Sequence, residues 1–375
     1  MSGMGDDDTL EGNGGDDTLS GGSGDDSLIG GGGNDTFRYF AGESAGADTV
    51  EGGDGIDGLA IFNAGTTDLE IAGTSWSGLE QITFNTADTV QGSKTLIVDG
   101  TEFEDGFGTG PAIFGQANTG LREIIRINMD TDTTLNLSGT TFDSNWTNGF
   151  DRIEVIGDGS FEQFTGTSGN DSISGGGGND TFTLDVATTG SSETIHGGTG
   201  TDRILIGSAG VIDLSSASVE ISGIEEIRFV VQGDNTLRLS STELDTADEL
   251  LDVFIDGFTG VQDQNNIEIV MRTTDVDLSG WTFFQWDDGS DETIRILGQS
   301  TAESFAGSSQ RDVIETGGGN DTVMAGMGND TIVMQGGALT LDGGEGDDLF
   351  RVTNTTLSNQ TIDGALDPIR WIIPV

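Results

Sequence analysis

The chain has no cysteine, three prolines, one histidine and few basic residues. Without cysteine there is no disulfide framework, and thiols give no reading of the compartment. One histidine and no cysteine also remove the usual zinc ligand sets. Against 65 Asp and Glu stand 13 Lys and Arg, a formal net charge of −52 at pH 7. Such a chain repels nucleic acid phosphates and anionic membrane surfaces. The attractive partners left are cations, basic proteins and, once cations are bound, copies of itself. No apolar run reaches the ~18 residues of a membrane span, so no membrane insertion is expected. MSGMGDDDTL is not a secretory signal peptide. If the protein is exported, it uses a route that needs no N-terminal signal, or the sequence lacks its flanks. Hydrophobic residues make up only 33%, yet they are spread too regularly for a disordered chain. With 63 glycines and a largely β-branched apolar set, long helices are not expected.

What is present is a nine-residue beat. From Gly12 the sequence reads GNGGDDTLS, GGSGDDSLI and GGGGNDTFR, and GGDGIDGLA follows at 52–60; residues 3–11 fit more loosely. A second block holds GTSGNDSIS (166–174), GGGGNDTFT (175–183) and GGTGTDRIL (197–205). A third holds GSSQRDVIE (307–315), TGGGNDTVM (316–324), AGMGNDTIV (325–333) and GGEGDDLFR (343–351). One such match means little in a Gly-rich chain; many in one frame are a specific signal.

These nonapeptides closely resemble the RTX (repeats-in-toxin) pattern G-G-x-G-x-D-x-U-x, with U a large apolar residue. The resemblance implies a parallel β-roll that binds several calcium ions between successive coils, two nonapeptides to each coil. Six turn residues precede a short strand, and glycine permits left-handed angles and close approach of neighbouring chain. The U residues, among them Leu19, Leu28, Phe37, Ile173, Phe182 and Ile332, point inward. The Asp at position six offers a hard oxygen and the turn carbonyls offer others; because calcium takes six to eight oxygens, stacking has to build the sites. By the match the ligands are Asp17, Asp26, Asp35, Asp57, Asp171, Asp180, Asp202, Asp312, Asp321, Asp330 and Asp348, with Asp8 and Asp48 as weaker cases. Gln310 replaces a turn glycine, Leu339 stands where Asp belongs in 334–342, and Glu193 does so in 188–196; weaker binding is expected there.

A longer beat relates the spacers. SGLEQITF (77–84) matches SGIEEIRF (222–229), TLIVDGTEF (95–103) matches TLRLSSTEL (236–244), and DRIEVIG (151–157) matches ETIRILG (292–298). Alternation in 125–129, 236–240 and 267–271 reads as strands, and 242–256 as a short helical excursion. The expected fold is all-β: a right-handed parallel β-roll or β-helix solenoid. Its RTX calcium blocks lie at 1–60, 164–207 and 306–351, β-rich solenoid spacers at 61–163 and 208–305, and a terminal strand segment at 352–375. A separate β-sandwich in each spacer is the alternative.

Enzyme motifs are poor. Gly42–Gly46 fits G-x-S-x-G, but that elbow needs an α/β setting and a His partner, and His196 lies in a degenerate repeat. Gly53, Gly55 and Gly58 fit G-x-G-x-x-G with no helix expected after them. Thr at position three, needed for a rank of ice-binding threonines, occurs only as Thr199. No enzyme is expected. The resemblance implies a secreted calcium-binding structural protein of a Gram-negative cell surface, exported by the type I route and assembling with itself as a surface layer, filament or matrix. Cell-surface polysaccharide is a further partner class. The alternatives are a spacer or ligand-binding region of a larger adhesin, and then a polysaccharide-active enzyme. The chain opens inside a repeat and closes on RWIIPV, which fits head-to-tail stacking, a fragment, or an export signal.

Overall fold

The computed structural model describes all residues except 43–45, 71–72, 86–91, 109, 117–119, 148–149, 187–191, 217, 245–249, 251, 258–263, 287–291, 354–359, 364–369 and 373–375. The chain divides into two compact units, Met1–Gly178 with Gly190–Thr194, and Asn179–Thr189 with Ile195–Val375. The division falls inside the second nonapeptide block.

Within each unit the described sheets are built by parallel pairing of strands one circuit apart. In the first unit one sheet runs Ser2–Gly5, Thr18–Ser23, Thr36–Phe40, Gly58–Phe62, Gln81–Phe84, Ala112–Phe114, Thr141–Phe142. A second runs Thr9–Gly14, Ser27–Gly32, Thr49–Asp54, Ser75–Ser77. Ser2 pairs with Ser20 and Thr9 with Ser27, so one circuit is two nonapeptides. Spacer strands therefore extend the sheets begun by the repeats, with parallel partners, where a sandwich would need antiparallel ones.

Parallel strands bury apolar residues efficiently, and the register stacks like on like. Leu19, Phe37, Leu59, Ile82 and Ile113 form one inward row, and Leu28, Val50 and Trp76 another. All eight are buried. In the second unit Ile314, Ile332 and Phe350 stack in the same way, as do Phe305, Val323 and Leu341. The alternating segments are strands as expected: Glu123–Asn128, Asp234–Ser240 and Gln264–Val270.

The helical excursion expected at 242–256 falls partly on residues outside the described ones. Ser241–Leu244 is a short 3-10 turn and Phe254–Asp256 is a strand, not helix; 245–249 and 251 lie outside the described residues. Among the described residues an α-helix occurs in the counterpart segment of the first unit, Gly100–Phe107. There Asp99 caps it by accepting from Thr101 N–H (2.8 Å), and Phe107 packs edge-on against Trp76. The cap and the aromatic seat hold the helix at 100–107.

Candidate metal centres

Ten of the eleven predicted aspartates are buried, and Asp17 is half-buried. Carboxylates are rarely buried unless something compensates them. The first compensation is main-chain hydrogen bonding between rungs. Asp8 N–H donates to Asp26 Oδ1 (2.8 Å) and Asp26 N–H to Asp48 Oδ1 (3.0 Å). On the other turn Asp17 N–H donates to Asp35 Oδ1 (2.7 Å), Asp35 N–H to Asp57 Oδ1 (2.6 Å) and Asp57 N–H to Glu80 Oε2 (2.8 Å). In the second unit Asp180 N–H reaches Asp202 (2.7 Å), Asp312 N–H reaches Asp330 (2.8 Å) and Asp330 N–H reaches Asp348 (3.1 Å). Asp321 receives the N–H of Glu303 (3.1 Å). Position six is thus a column of carboxylates, one per circuit on each turn.

In five of these carboxylates the second oxygen is not compensated in this way. Oδ2 of Asp26, Asp35, Asp57, Asp202 and Asp321 is buried and accepts no hydrogen bond. In Asp26, Asp35, Asp57 and Asp202 it faces a space kept open by the position-one glycine. A Cβ on Gly52 would lie 2.8 Å from Asp57 Oδ2, and one on Gly197 would lie 2.7 Å from Asp202 Oδ2. One on Gly30 would lie 2.5 Å from the Gly52 carbonyl oxygen, on the neighbouring circuit. Unpaired anionic oxygen next to inter-rung carbonyl oxygen suits a hard cation such as calcium. Among the described residues no three His, Asp or Glu side chains converge, so main-chain carbonyls must supply much of any coordination shell. A bound calcium ion supplies positive charge, offsetting the repulsion and desolvation of the column.

Two predicted ligands are engaged differently. Asp171 accepts from Thr167 N–H (2.6 Å) and from its hydroxyl (2.9 Å), and Asp312 accepts from Ser308 N–H (2.7 Å). Both repeats have a hydroxyl residue in place of the second glycine, and it folds the carboxylate back onto its own turn. Leu339, at a ladder position, leaves its N–H to Gln360 Oε1 (3.1 Å).

Sequence reasoning missed two sets of residues. Position five carries a second ladder of opposite sense: Asp7 Oδ1 accepts from Asp25 N–H (2.9 Å), Asp16 Oδ1 from Asn34 N–H (2.8 Å), and Asn329 Oδ1 from Asp347 N–H (2.8 Å). The recurrent Asp or Asn before the position-six Asp was its signal. The other set is the glutamates Glu80, Glu225 and Glu303, which join the position-six columns from outside the nine-residue frame. His196 Nδ1 lies 2.6 Å from Ser222 Oγ, and residues 43–45 of the G-x-S-x-G stretch lie outside the described residues.

The columns shift the carboxyl pKa values upward. Burial, the largest cause, raises Asp48 and Asp321 to about 6, and raises Asp26, Asp57 and Asp202 as well. Burial and the nearby Asp171 carboxylate hold Glu193 well above the carboxylate range. A folded pKa above the unfolded value means that the folded chain keeps protons the unfolded chain releases. That stabilisation is complete below about pH 4 and is lost as pH rises through about 6. Without metal, lowering the pH from 7 to 5 is therefore expected to restore part of the β-sheet circular dichroism; an unchanged or falling signal contradicts the columns.

The chain matches the family of the RTX calcium-binding nonapeptide repeat (4 copies) at residues 2–37, 44–59, 156–185 and 297–332. These segments are RTX calcium-binding repeats. No curated protein matches the chain. Asp202 and Asp348 lie outside the matched segments, yet they occupy the same column positions as Asp57 and Asp330 inside them. The RTX columns are thus longer than the matched segments. Among the described residues no helix is long and apolar enough to cross a membrane.

Proposed function

We propose that this is a secreted, calcium-binding structural protein whose folding as a right-handed parallel solenoid is completed by calcium outside the cell. The observation that carries the reading is the column of buried carboxylates with an uncompensated oxygen on successive rungs. Extracellular calcium modules work at about 10⁻⁴–10⁻³ M, far above cytosolic free calcium. A chain of this kind stays open inside the cell, leaves through a channel and closes on arrival. RTX repeats support export by the type I route of a Gram-negative cell. Exposed Asp7, Asp16 and Asp25 on the turns supply anionic rows that calcium can bridge between molecules, which supports self-assembly as a surface layer, filament or matrix.

Electron microscopy of the purified chain tests the assembly. Ordered polymers are expected in millimolar calcium and none in chelator. Folded, dispersed monomers in calcium overturn self-assembly and favour a region of a larger adhesin. One observation speaks for that second reading: a groove of about 560 Å³ in the second unit, lined by Arg295, Arg311 and Arg351 with Glu315, which pairs with Arg295, and by Thr331, Val313, Val333 and Leu349. It gathers three cations of a strongly acidic chain on one surface.

A further inference from the structure

Each unit leaves a run of nonapeptides through the same short turn. Ser77–Glu80 reads SGLE after Asp57, and Ser222–Glu225 reads SGIE after Asp202. From Gly52 to Asp57 a nonapeptide turn takes six residues; from Gly78 to Glu80 the new turn takes three. Glycine at φ 62° (Gly78) and 63° (Gly223) makes the tight reversal. The longer glutamate side chain then covers the missing backbone. Glu80 Oε2 accepts from Asp57 N–H at 2.8 Å, and Glu225 Oε2 from Asp202 N–H at 2.7 Å, as an aspartate of the next repeat would. The main chain closes identically as well. Glu80 and Gln81 N–H both donate to Asp57 O (2.8 and 3.1 Å), and Glu225 and Glu226 N–H both donate to Asp202 O (3.0 and 3.0 Å).

The aspartate at the end of each column carries the mark of a ligand. Asp57 and Asp202 are both 0% exposed, and Oδ2 of each is buried without a hydrogen-bond partner. In each case the space beside Oδ2, next to Gly52 or Gly197, is also faced by a carbonyl oxygen of the short turn, that of Gly78 or Gly223. Glu80 and Glu225 stand on the solvent side, exposed, where water can complete a calcium shell. The same atoms recur in both units, although the residue after the glutamate differs, Gln81 in one and Glu226 in the other.

We propose that Asp57, Glu80 and the Gly78 carbonyl, and Asp202, Glu225 and the Gly223 carbonyl, form two calcium sites one rung beyond the last nonapeptide. Neither glutamate lies in a matched RTX segment. The sites rest on the reading that the columns bind calcium, and they extend it into the spacers. Each ion ties the last repeat to the spacer strand that pairs with it, Gln81–Phe84 or Glu226–Phe229. The register of the spacer is then set by the same cation that closes the block.

The test is a calcium count on the full chain, by equilibrium dialysis at saturating calcium, for wild type and the double variant Glu80→Gln/Glu225→Gln. Glutamine keeps an oxygen for the Asp57 and Asp202 N–H groups but removes the anionic ligand. Two ions fewer than wild type, with an unchanged circular dichroism spectrum in calcium, is the expected result. The charge-matched control Glu51→Gln/Glu220→Gln, at exposed strand residues, is expected to keep the full count. Each single variant is expected to lose one ion, which keeps the test valid if the double variant does not fold. An unchanged count and isotherm in both single variants overturns the two sites while leaving the RTX columns standing. A wild-type chain that binds no calcium at all instead overturns the columns themselves.

Discussion

In excess chelator at pH 7 and low salt, the β-sheet circular dichroism of the nonapeptide blocks is expected to collapse, and to return on titration with calcium. Neighbouring rungs of a sheet lie about 4.8 Å apart, and the position-six carboxylates repeat on that spacing. Two unit charges 4 Å apart interact by roughly 4 kcal/mol at an effective dielectric of 20. Asp26 with Asp48, Asp35 with Asp57 and Asp57 with Glu80 are such neighbours in the first unit alone. A few such pairs equal the ~5–15 kcal/mol that holds a typical domain together. Protonation relieves only part of this at neutral pH, because Asp48 and Asp321 reach only about 6. Molar salt, which screens charge, is expected to restore part of the signal. A full β-sheet spectrum in chelator, unaltered by calcium, contradicts the account.

The second large effect comes from one run of four glycines, Gly30–Gly33, where neighbouring positions are expected to behave in opposite ways. Gly33 has φ 126°, and a Cβ there would lie 2.5 Å from the Gly15 carbonyl carbon and 2.6 Å from its oxygen, one rung away. Gly33→Ala meets fixed backbone and an unfavourable φ together, and is expected to lose on the order of 3 kcal/mol. Gly32 has no such φ, and the nearest atom to its Cβ position is Asn13 O at 3.9 Å. Gly32→Ala is expected to stay within about 0.5 kcal/mol, helped by the smaller entropy of the unfolded chain. The readout is the thermal midpoint in saturating calcium; equal shifts for the two variants contradict the proposed stacking. The contrast explains why position three of the repeat is free to be Ser23 or Asp54 while its neighbours are glycine.

Much of this was legible because the repeat is a one-dimensional code. Period nine fixed the turns, the inward row from Leu19 to Phe37, and the aspartates of the columns. The donors to those aspartates were not legible, since each is a main-chain N–H about one circuit away, a distance that the insertion after Arg38 lengthens from 18 to 22 residues. Tyr39 donates its hydroxyl to Asp48 Oδ2 (3.0 Å), a contact that no nonapeptide frame contains. Glu80 and Glu225 escaped for a related reason: a shorter turn with a longer side chain reaches the same point, and a pattern built on spacing cannot register that exchange. The fully buried Lys94, held by Gln116 Oε1 (2.9 Å) and Asn85 O (3.1 Å), was equally hidden. Its counterpart in the second unit is Asn235, bonded to Asn265 (2.9 Å), so one interior position carries a cation in one copy and an amide in the other.

The register carries a kinetic consequence. Paired residues lie 18 apart in the tightest circuits, Ser2 with Ser20, and 31 apart in the widest, Gln81 with Ala112. Over 375 residues that is a relative contact order of about 0.07, the range of small helical bundles, although nearly every element is a β-strand. None of the described strands has to find a remote partner, so closure of each loop is entropically cheap and a finished circuit is the template for the next. The time taken to fold is then governed by how quickly charge is neutralised along the chain, and not by a search through alternative topologies.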